Sequence, residues 1–510
     1  MAKVVVVGAG VGGLAVAVRL AATGHRVVVC EQADEVGGKA GRWARNGFRV
    51  DTGPSLLTLP AVYRDLFATT GTPLEEHVEL VPVDPAFHYR FADGTEVEMP
   101  NVSRAAIQQS LDEALGAGAG DQWLGLLRRG GQIWAATRDR FLTVPLTGPG
   151  AVLSLARSAG PSDLRTIAPL TTLRGLGEDL LQHPHLRTLL DRYATYSGCD
   201  PRRAPAALAS IPYVEQAFGA WTVRGGLHEL VLAMASRAEL LGVEIRTATM
   251  VSAVTVQGGH AAGVELADGS RLSADVVVSA VDASHLYRDL VPPDLGRRVE
   301  RVRSEVADPG AAASLSGFAL MLGLSGRTPG LGHHTVLFGG HYDDEFDAVF
   351  GTGAHRSAPR PVLDPTIYLC SADDPASRPH DDSEAVFVLV NAPRHRPDDL
   401  RYGIDWDAAG VAQAYGDHVL AVMAARGLDV RDRVLVRDCL TPADLERRTG
   451  SAGGAIYGLA AHGSTGAFRR PTNRSPLPGL LLAGGSTHPG GGLPLVGLSA
   501  EIAAGLVGSA

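Results

Sequence analysis

Cysteine is scarce in this chain. Four occur in 510 residues, at Cys30, Cys199, Cys370 and Cys439, and no two form a C-x-x-C pair. That scatter argues against a disulfide framework and a cysteine-built zinc site, and it fits a reducing compartment. Long apolar runs are missing as well. No stretch of about 18 uninterrupted apolar residues occurs, so no transmembrane helix is expected. The longest candidate, Phe318–Leu324, has the length of a buried strand. The N-terminal valines are too few for a secretory signal. There is no long basic run either, and a formal net charge of −9 argues against nucleic acid as the partner. What the chain has in quantity is glycine, 62 residues of it. With 45% hydrophobic and 20% charged residues it is a globular composition, long enough for about two to four domain-sized units.

The first glycines are the most informative. Val4–Val7 is a β-branched run that suits a strand buried on both faces. Gly8, Gly10 and Gly13 follow in G-x-G-x-x-G spacing. An apolar helical pattern then runs to Gly24, and Arg26–Cys30 reads as a second strand ending on Glu31. Gly8 permits the turn, Gly10 lets a pyrophosphate approach the backbone, and Gly13 lets the helix pack close on the sheet. Glu31 stands where an acid accepts hydrogen bonds from an adenosine ribose, and its charge would repel a 2′-phosphate. The fingerprint alone is weak in a glycine-rich chain, where a loop without a ligand is the alternative. Strand, helix, second strand and acid in order point to a dinucleotide.

Beyond Glu31 a second glycine pair, Gly37-Gly38, precedes Gly41 and Arg42, and Asp51-Thr52-Gly53-Pro54 stands at a turn. A nicotinamide enzyme needs no second loop here, whereas a flavin extends past the diphosphate and does. Arg42 is placed to pair with the diphosphate or pack on the flavin ring, with a surface arginine as the alternative. At the other end, Leu480–Ala483 reads as a buried strand leading through Gly484-Gly485 to His488-Pro489-Gly490-Gly491-Gly492 and a helix from Leu493. A triple glycine before a helix lets N–H groups approach a flat ring.

The segments GAGVGGLAVAVRL, EQADEVGGKAGRW, GFRVDTGPSLLT and STHPGGGLP resemble the phytoene desaturase family of FAD-dependent carotenoid desaturases, with amine oxidases as wider relatives. RYATYSG (192–198) and WTVRGGLHELVL (221–232), where Gly225-Gly226 opens a helix, resemble family segments too. The resemblance implies an α/β fold, a Rossmann-like FAD-binding domain of the glutathione-reductase type with an inserted α+β substrate and membrane-associated domain. Residues 1–61, 216–295 and 451–510 would form the FAD domain, and 62–215 and 296–450 the substrate domain. Contacts to FAD are implied for Gly8, Gly10, Gly12, Gly13, Glu31, Gln32, Gly38, Lys39, Arg42, Gly53, Pro54, Ser55, Val251, Gly484, Gly485, Gly491, Gly492, Leu493 and Pro494.

Between these parts the pattern is mixed. Asp93-Gly94 reads as a hairpin turn within Leu80–Met99, residues 123–190 are mostly helical, and GAGAG (116–120) is a small-residue loop. Residues 248–256 and 275–280 read as further strands of the FAD-binding sheet. Strand runs followed by the helical 408–426 suggest an antiparallel sheet with helices to one side. His333 and His334 resemble a family pair. No further ligands stand at a metal-binding spacing, so no metal is expected. Leucines and valines interleaved with Arg138, Arg140, Arg157 and Arg165 fit ordinary packed helices, and the resemblance favours a membrane-facing surface instead. Tyr193 and Tyr196 fit a substrate channel or a core equally.

The implied reaction removes two hydrogens from a C–C bond beside a polyene, with hydride transfer to flavin N5. Because conjugation eases loss of the following proton, no acid–base dyad is required. His488 and Arg157 are the candidate catalytic residues, with a structural role the alternative for His488. The acceptor is expected to be a quinone or oxygen, since no second nucleotide fingerprint occurs. The expected setting is cytoplasmic and peripheral to a membrane. Readings kept beside this one are a carotenoid oxygenase or isomerase, a 1-hydroxycarotenoid 3,4-desaturase, an amine oxidase-like flavoenzyme, and a prenyl-binding carrier without flavin.

Overall fold

A computed structural model of the chain describes residues 1–146, 160–353 and 358–510. The Val4–Val7 run is the centre of a five-stranded parallel sheet in the order Leu480–Leu482, Val276–Ser279, Lys3–Val7, Arg26–Cys30, Glu244–Arg246. Its valines are buried on both faces, as a parallel sheet covered on both sides demands. Helices Val11–Ala22, His228–Leu240 and Leu493–Val507 cover one face through Leu14, Val18, Leu230 and Ala500.

Val251–Gln257 departs from the sequence reading. It leaves the parallel sheet and pairs with His260–Leu266 in a separate three-stranded antiparallel sheet, which packs on the second face. The physical reason lies in its pattern: Val251 and Val254 are buried between exposed or half-buried neighbours, which suits a strand with one wet face.

A seven-stranded sheet forms the other half of the molecule. Its order is Val434–Leu440, Ser316–Ser325, Ser383–Ala392, Ile367–Cys370, His334–Leu337, Phe87–Arg90, Glu96–Met99. All neighbours are antiparallel except His334–Leu337 against Phe87–Arg90. Two of its strands therefore come from before residue 100 and five from after residue 315. Helix Val411–Ala425 packs on one face through Tyr415, Val419 and Met423. Helices Arg104–Leu115, Ala119–Thr137, Leu173–Leu180, Pro184–Arg192 and Ser210–Phe218 form a further layer around Trp123, Leu126 and Leu190. GAGAG is a loop only to Gly118; its last two residues open the helix Ala119–Thr137. Among the described residues no helix is long and apolar enough to cross a membrane.

Candidate functional site

Two helix N-termini, one from each end of the chain, open onto one cavity of about 480 Å³. Gly10 precedes Val11–Ala22 and Gly492 precedes Leu493–Val507, and neither helix start has a side-chain cap. Gly10, Val11 and Gly12 line the cavity opposite Gly492, Leu493 and Pro494. Uncapped N–H groups and the positive ends of two helix dipoles thus face one space, which suits a diphosphate and an electron-rich ring. The glycines make this approach possible. A Cβ on Gly13 would overlap the Gly8 carbonyl oxygen, and one on Gly12 would lie 3.1 Å from Gly484 Cα.

Glu31 stands beside the first helix start, 7% exposed. Its carboxylate accepts from Ala9 N at 2.7 Å and Ala33 N at 3.0 Å. It braces the glycine loop while lining the cavity with Gln32 and Val251. Gly38, Lys39, Gly53, Pro54 and Ser55 make the next stretch of wall, and Gly484, Gly485 and Gly491 the one facing it. Lys39 Nζ donates to the carbonyls of Ile456 (2.9 Å) and Ala455 (3.2 Å) and lies 3.4 Å from Asp282 Oδ2, tying this wall to the 455–456 turn. Asp51 explains the glycine pair before the next helix. Its carboxylate accepts from Leu227 N (2.6 Å) and His228 N (3.1 Å), so it serves as the cap of His228–Leu240, and Gly226 leaves it room.

Two residues predicted to touch the cofactor stand elsewhere. Gly13 is behind the cavity wall, against Gly8. Arg42 faces a second cavity of about 320 Å³ and pairs with Glu229 Oε1 at 3.0 Å. Arg448 lines the first cavity, with its guanidinium against Gly41. One step along the strand sends the Arg42 side chain to the opposite face, and no spacing within 37–42 reveals Arg448. Arg157 lies outside the described residues.

His488 does not line the cavity as a proton carrier would. It is fully buried, its Nε2 donates to the Val144 carbonyl at 3.0 Å, and Phe141 meets its ring edge-on at 4.8 Å. Burial holds its imidazole down at about 4, so it is neutral at neutral pH. It anchors the glycine loop to the helical layer. Behind the same loop, Arg470 is 5% exposed and donates to the carbonyls of Tyr457 (2.6 Å) and Gly485 (2.9 Å). Arg470→Met orphans both carbonyls. It is expected to cost about 2–4 kcal/mol, read as a lower urea midpoint of the purified chain.

Strand pairing of His334 with Cys370 brings ligand atoms of His333, His334 and Cys370 within 4.8 Å of one another, a third ligand that sequence spacing does not show. His334 is already engaged: its Nδ1 lies 2.9 Å from Ala86 O and its Nε2 3.2 Å from Ser55 O.

Past Ser55 the cavity enters the space against the seven-stranded sheet. Leu315, Phe387, Leu389, Val336 and Ile456 make that part apolar. Arg192, Tyr196, Tyr342, Tyr368 and Asn391 are among its polar residues. Of the two tyrosines read as ambivalent, Tyr196 faces the cavity and Tyr193 is core, hydrogen-bonded to Glu215. Tyr368 and Asn391 carry no local signal, because only the pairing of Ile367–Cys370 with Ser383–Ala392 brings them to this wall.

The profile of the family described as flavin containing amine oxidoreductase matches residues 11–311. The chain is 32% identical over 507 residues to a 4,4'-diapolycopene oxygenase of Methylomonas sp, covering 98% of this chain and 97% of that one. It is 34% identical over 512 residues to a hydroxyneurosporene desaturase of Rubrivivax gelatinosus, covering 98% and 92%. Among solved structures, an oxidoreductase from Methanosarcina mazei superposes with a TM-score of 0.60 over 98% of both chains at 15% identity, a likeness of fold.

Proposed function

We propose, from the premise that this chain belongs to the phytoene desaturase family of carotenoid desaturases within the flavin containing amine oxidoreductases, that it is an FAD-dependent desaturase of a long acyclic carotenoid. One observation carries the reading. Two uncapped helix starts, from residues 10 and 492, share a cavity that continues into an apolar chamber of sheet residues. The first part suits a dinucleotide and the second a hydrocarbon chain.

In this reading Glu31 accepts from the adenosine ribose, and the loops at Gly10–Gly12 and Gly491–Pro494 direct N–H groups at the diphosphate and ring. Bound flavin supplies the hydride acceptor for C–H cleavage. The residues Leu315, Phe387, Leu389 and Ile456 hold the polyene by apolar contact and keep water from the reacting bond. His488, neutral and turned to Val144, is left with the task of fixing the loop. An amine substrate fits less well, because the chamber holds the Arg192 cation and an ammonium would be repelled.

We place the enzyme at a membrane surface, from which it collects its substrate. Leu164, Leu170, Leu180 and Phe218 support this, since all four are exposed, on helices Pro161–Ile167, Leu173–Leu180 and Ser210–Phe218 or, for Leu170, on the turn between the first two. The electron acceptor in this reading is a quinone or oxygen.

The test is to supply the holoenzyme with liposomes carrying a colourless acyclic polyene and a quinone. New absorption bands at longer wavelength, with a product lighter by two hydrogens per step, are expected. A product heavier by oxygen would favour an oxygenase instead, the activity named for the Methylomonas relative. Peroxide released from amines, with the polyene unchanged, would overturn the proposal.

A further inference from the structure

Lysine and arginine reach the main cavity at Lys39, Arg192 and Arg448. Lys39 is matched by Asp282 at 3.4 Å. Arg192 stands in the apolar part, over the Phe87 ring at 4.7 Å. Arg448 has no such match. Among the described residues no carboxylate lies within 4.0 Å of its guanidinium, and no protein group accepts a hydrogen bond from it. Asp444, the acid whose charge reaches it, is committed to Thr441 N at 2.8 Å and Arg447 Nη2 at 2.6 Å.

The fold holds Arg448 against the glycine-lined end of the cavity. It stands in the last turn of helix Pro442–Thr449, which a capping box of Thr441 and Asp444 starts and Gly450, at φ +68°, stops. Gln32 Nε2 donates to its carbonyl at 3.1 Å, one residue beyond Glu31. Its Nη2 would lie 2.7 Å from a Cβ on Gly41, and a Cβ on Gly38 would lie 3.5 Å from Gly10 Cα. The guanidinium therefore sits between the Glu31 strand end and the 38–41 turn, and both adjoin the helix start at Gly10. A diphosphate at that start carries two negative charges. A helix end offers about half a charge against them. An unpaired guanidinium supplies a full charge and a planar fork of donors that matches two phosphate oxygens. A ribose or an adenine is neutral and would leave the charge unmatched.

We infer that Arg448 holds the diphosphate of FAD, the task that the 37–42 motif suggested for Arg42. The inference rests on FAD as the cofactor and not on the identity of the substrate. It has a structural consequence. Helix Pro442–Thr449 follows the edge strand Val434–Leu440 of the seven-stranded sheet, whereas Gly10 follows the central strand of the parallel sheet. Through its diphosphate the cofactor ties these two halves of the molecule together.

The test titrates the full-length apoprotein with FAD, ADP and adenosine, followed by protein fluorescence. ADP carries the diphosphate and adenosine does not. Arg448→Met is expected to weaken FAD and ADP by about ten- to a hundredfold and to leave adenosine as in the wild type. Added salt narrows that difference. Arg448→Lys, which keeps the charge without the fork, recovers most of the loss, and Arg42→Met keeps wild-type affinity for all three. The rise in melting temperature that FAD produces shrinks in Arg448→Met. Undiminished FAD and ADP affinity in Arg448→Met overturns the inference and leaves FAD as the cofactor. Equal loss of ADP and adenosine overturns it too, because Arg448 is then part of the scaffold. So does a loss of ADP affinity in Arg42→Met that Arg448→Met does not share. Wild-type protein that binds ADP no better than adenosine decides against the inference even if every variant misfolds. Wild-type protein that binds none of the three overturns the flavoprotein reading, and this inference with it.

Discussion

Gly53→Ala is expected to yield a chain that purifies without flavin. The backbone of 52–54 crosses that of 39–40 so closely that a Cβ on Gly53 would overlap the Lys39 carbonyl oxygen and lie 2.9 Å from its carbon. No side chain can swing aside there, because both partners are main chain. The two strands of wall must part, and both line the cavity. Overpacking a rigid site typically costs about 1–3 kcal/mol, and a backbone-on-backbone overlap belongs at or above the upper end. That corresponds to at least about a hundredfold loss of FAD affinity. Gly13→Ala is expected to do the same from behind the wall, by forcing helix Val11–Ala22 off the Gly8 carbonyl. Gly505→Ala is the control: it lies in helix Leu493–Val507 with open space around its Cβ position, and it should keep the flavin and gain slightly in stability. Titration of each apoprotein with FAD, followed by protein fluorescence, checks this. Normal affinity in Gly53→Ala would show that the cofactor does not rest on this crossing.

The same glycines explain why the glycine-lined part of the cavity was legible in the sequence and the part against the seven-stranded sheet was not. A backbone that must turn or touch another backbone leaves its mark locally. Gly8 to Gly13 and Gly484 to Gly492 are short strings, and one physical demand accounts for each. The apolar part of the cavity has no such string. Arg192 comes from a helix end, Tyr368 and Asn391 from paired strands and Tyr342 from a further helix, and any one of them reads locally as ordinary packing. Their meeting depends on the order of seven strands, in which residues 87–99 join strands from beyond residue 315. Arg42 failed for a smaller reason of the same kind. Strand alternation decides which face a side chain takes, and the strand start is uncertain by a residue. Asp51 shows the converse: its motif was visible, but its work as a helix cap became plain only once Leu227 and His228 were seen to donate to it.

Acid should unfold this protein well before its carboxylates are exhausted. His334 and His488 are fully buried, and burial holds their imidazoles down at about 3 and about 4; His333 and His462, partly buried, are held at about 4 for the same reason. An unfolded chain binds a proton at each of them near pH 6.5. Folded values below unfolded ones mean that this stability is intact above pH 6.5 and is lost as the pH falls towards 4. At pH 5 each such histidine withdraws up to about 2 kcal/mol, so the fully buried pair alone removes an appreciable share of the stability of an ordinary domain. Urea midpoints measured from pH 7.5 down to pH 5 should fall below pH 6.5 by less than the histidines alone would give, because burial raises the Asp191 carboxyl to about 7 and its protonation in the folded chain opposes the loss. His488→Gln, which keeps a donor for Val144, should flatten that slope by about one proton's worth, roughly 1.4 kcal/mol per pH unit. The same neutrality bears on the chemistry. An imidazole that takes up no proton between pH 5 and 8 lends no ionisation to the rate in that range, so kcat of His488→Gln should keep the pH profile of the parent. A slope unchanged by His488→Gln, together with loss of an ionisation from its rate profile, would return His488 from the scaffold to the chemistry.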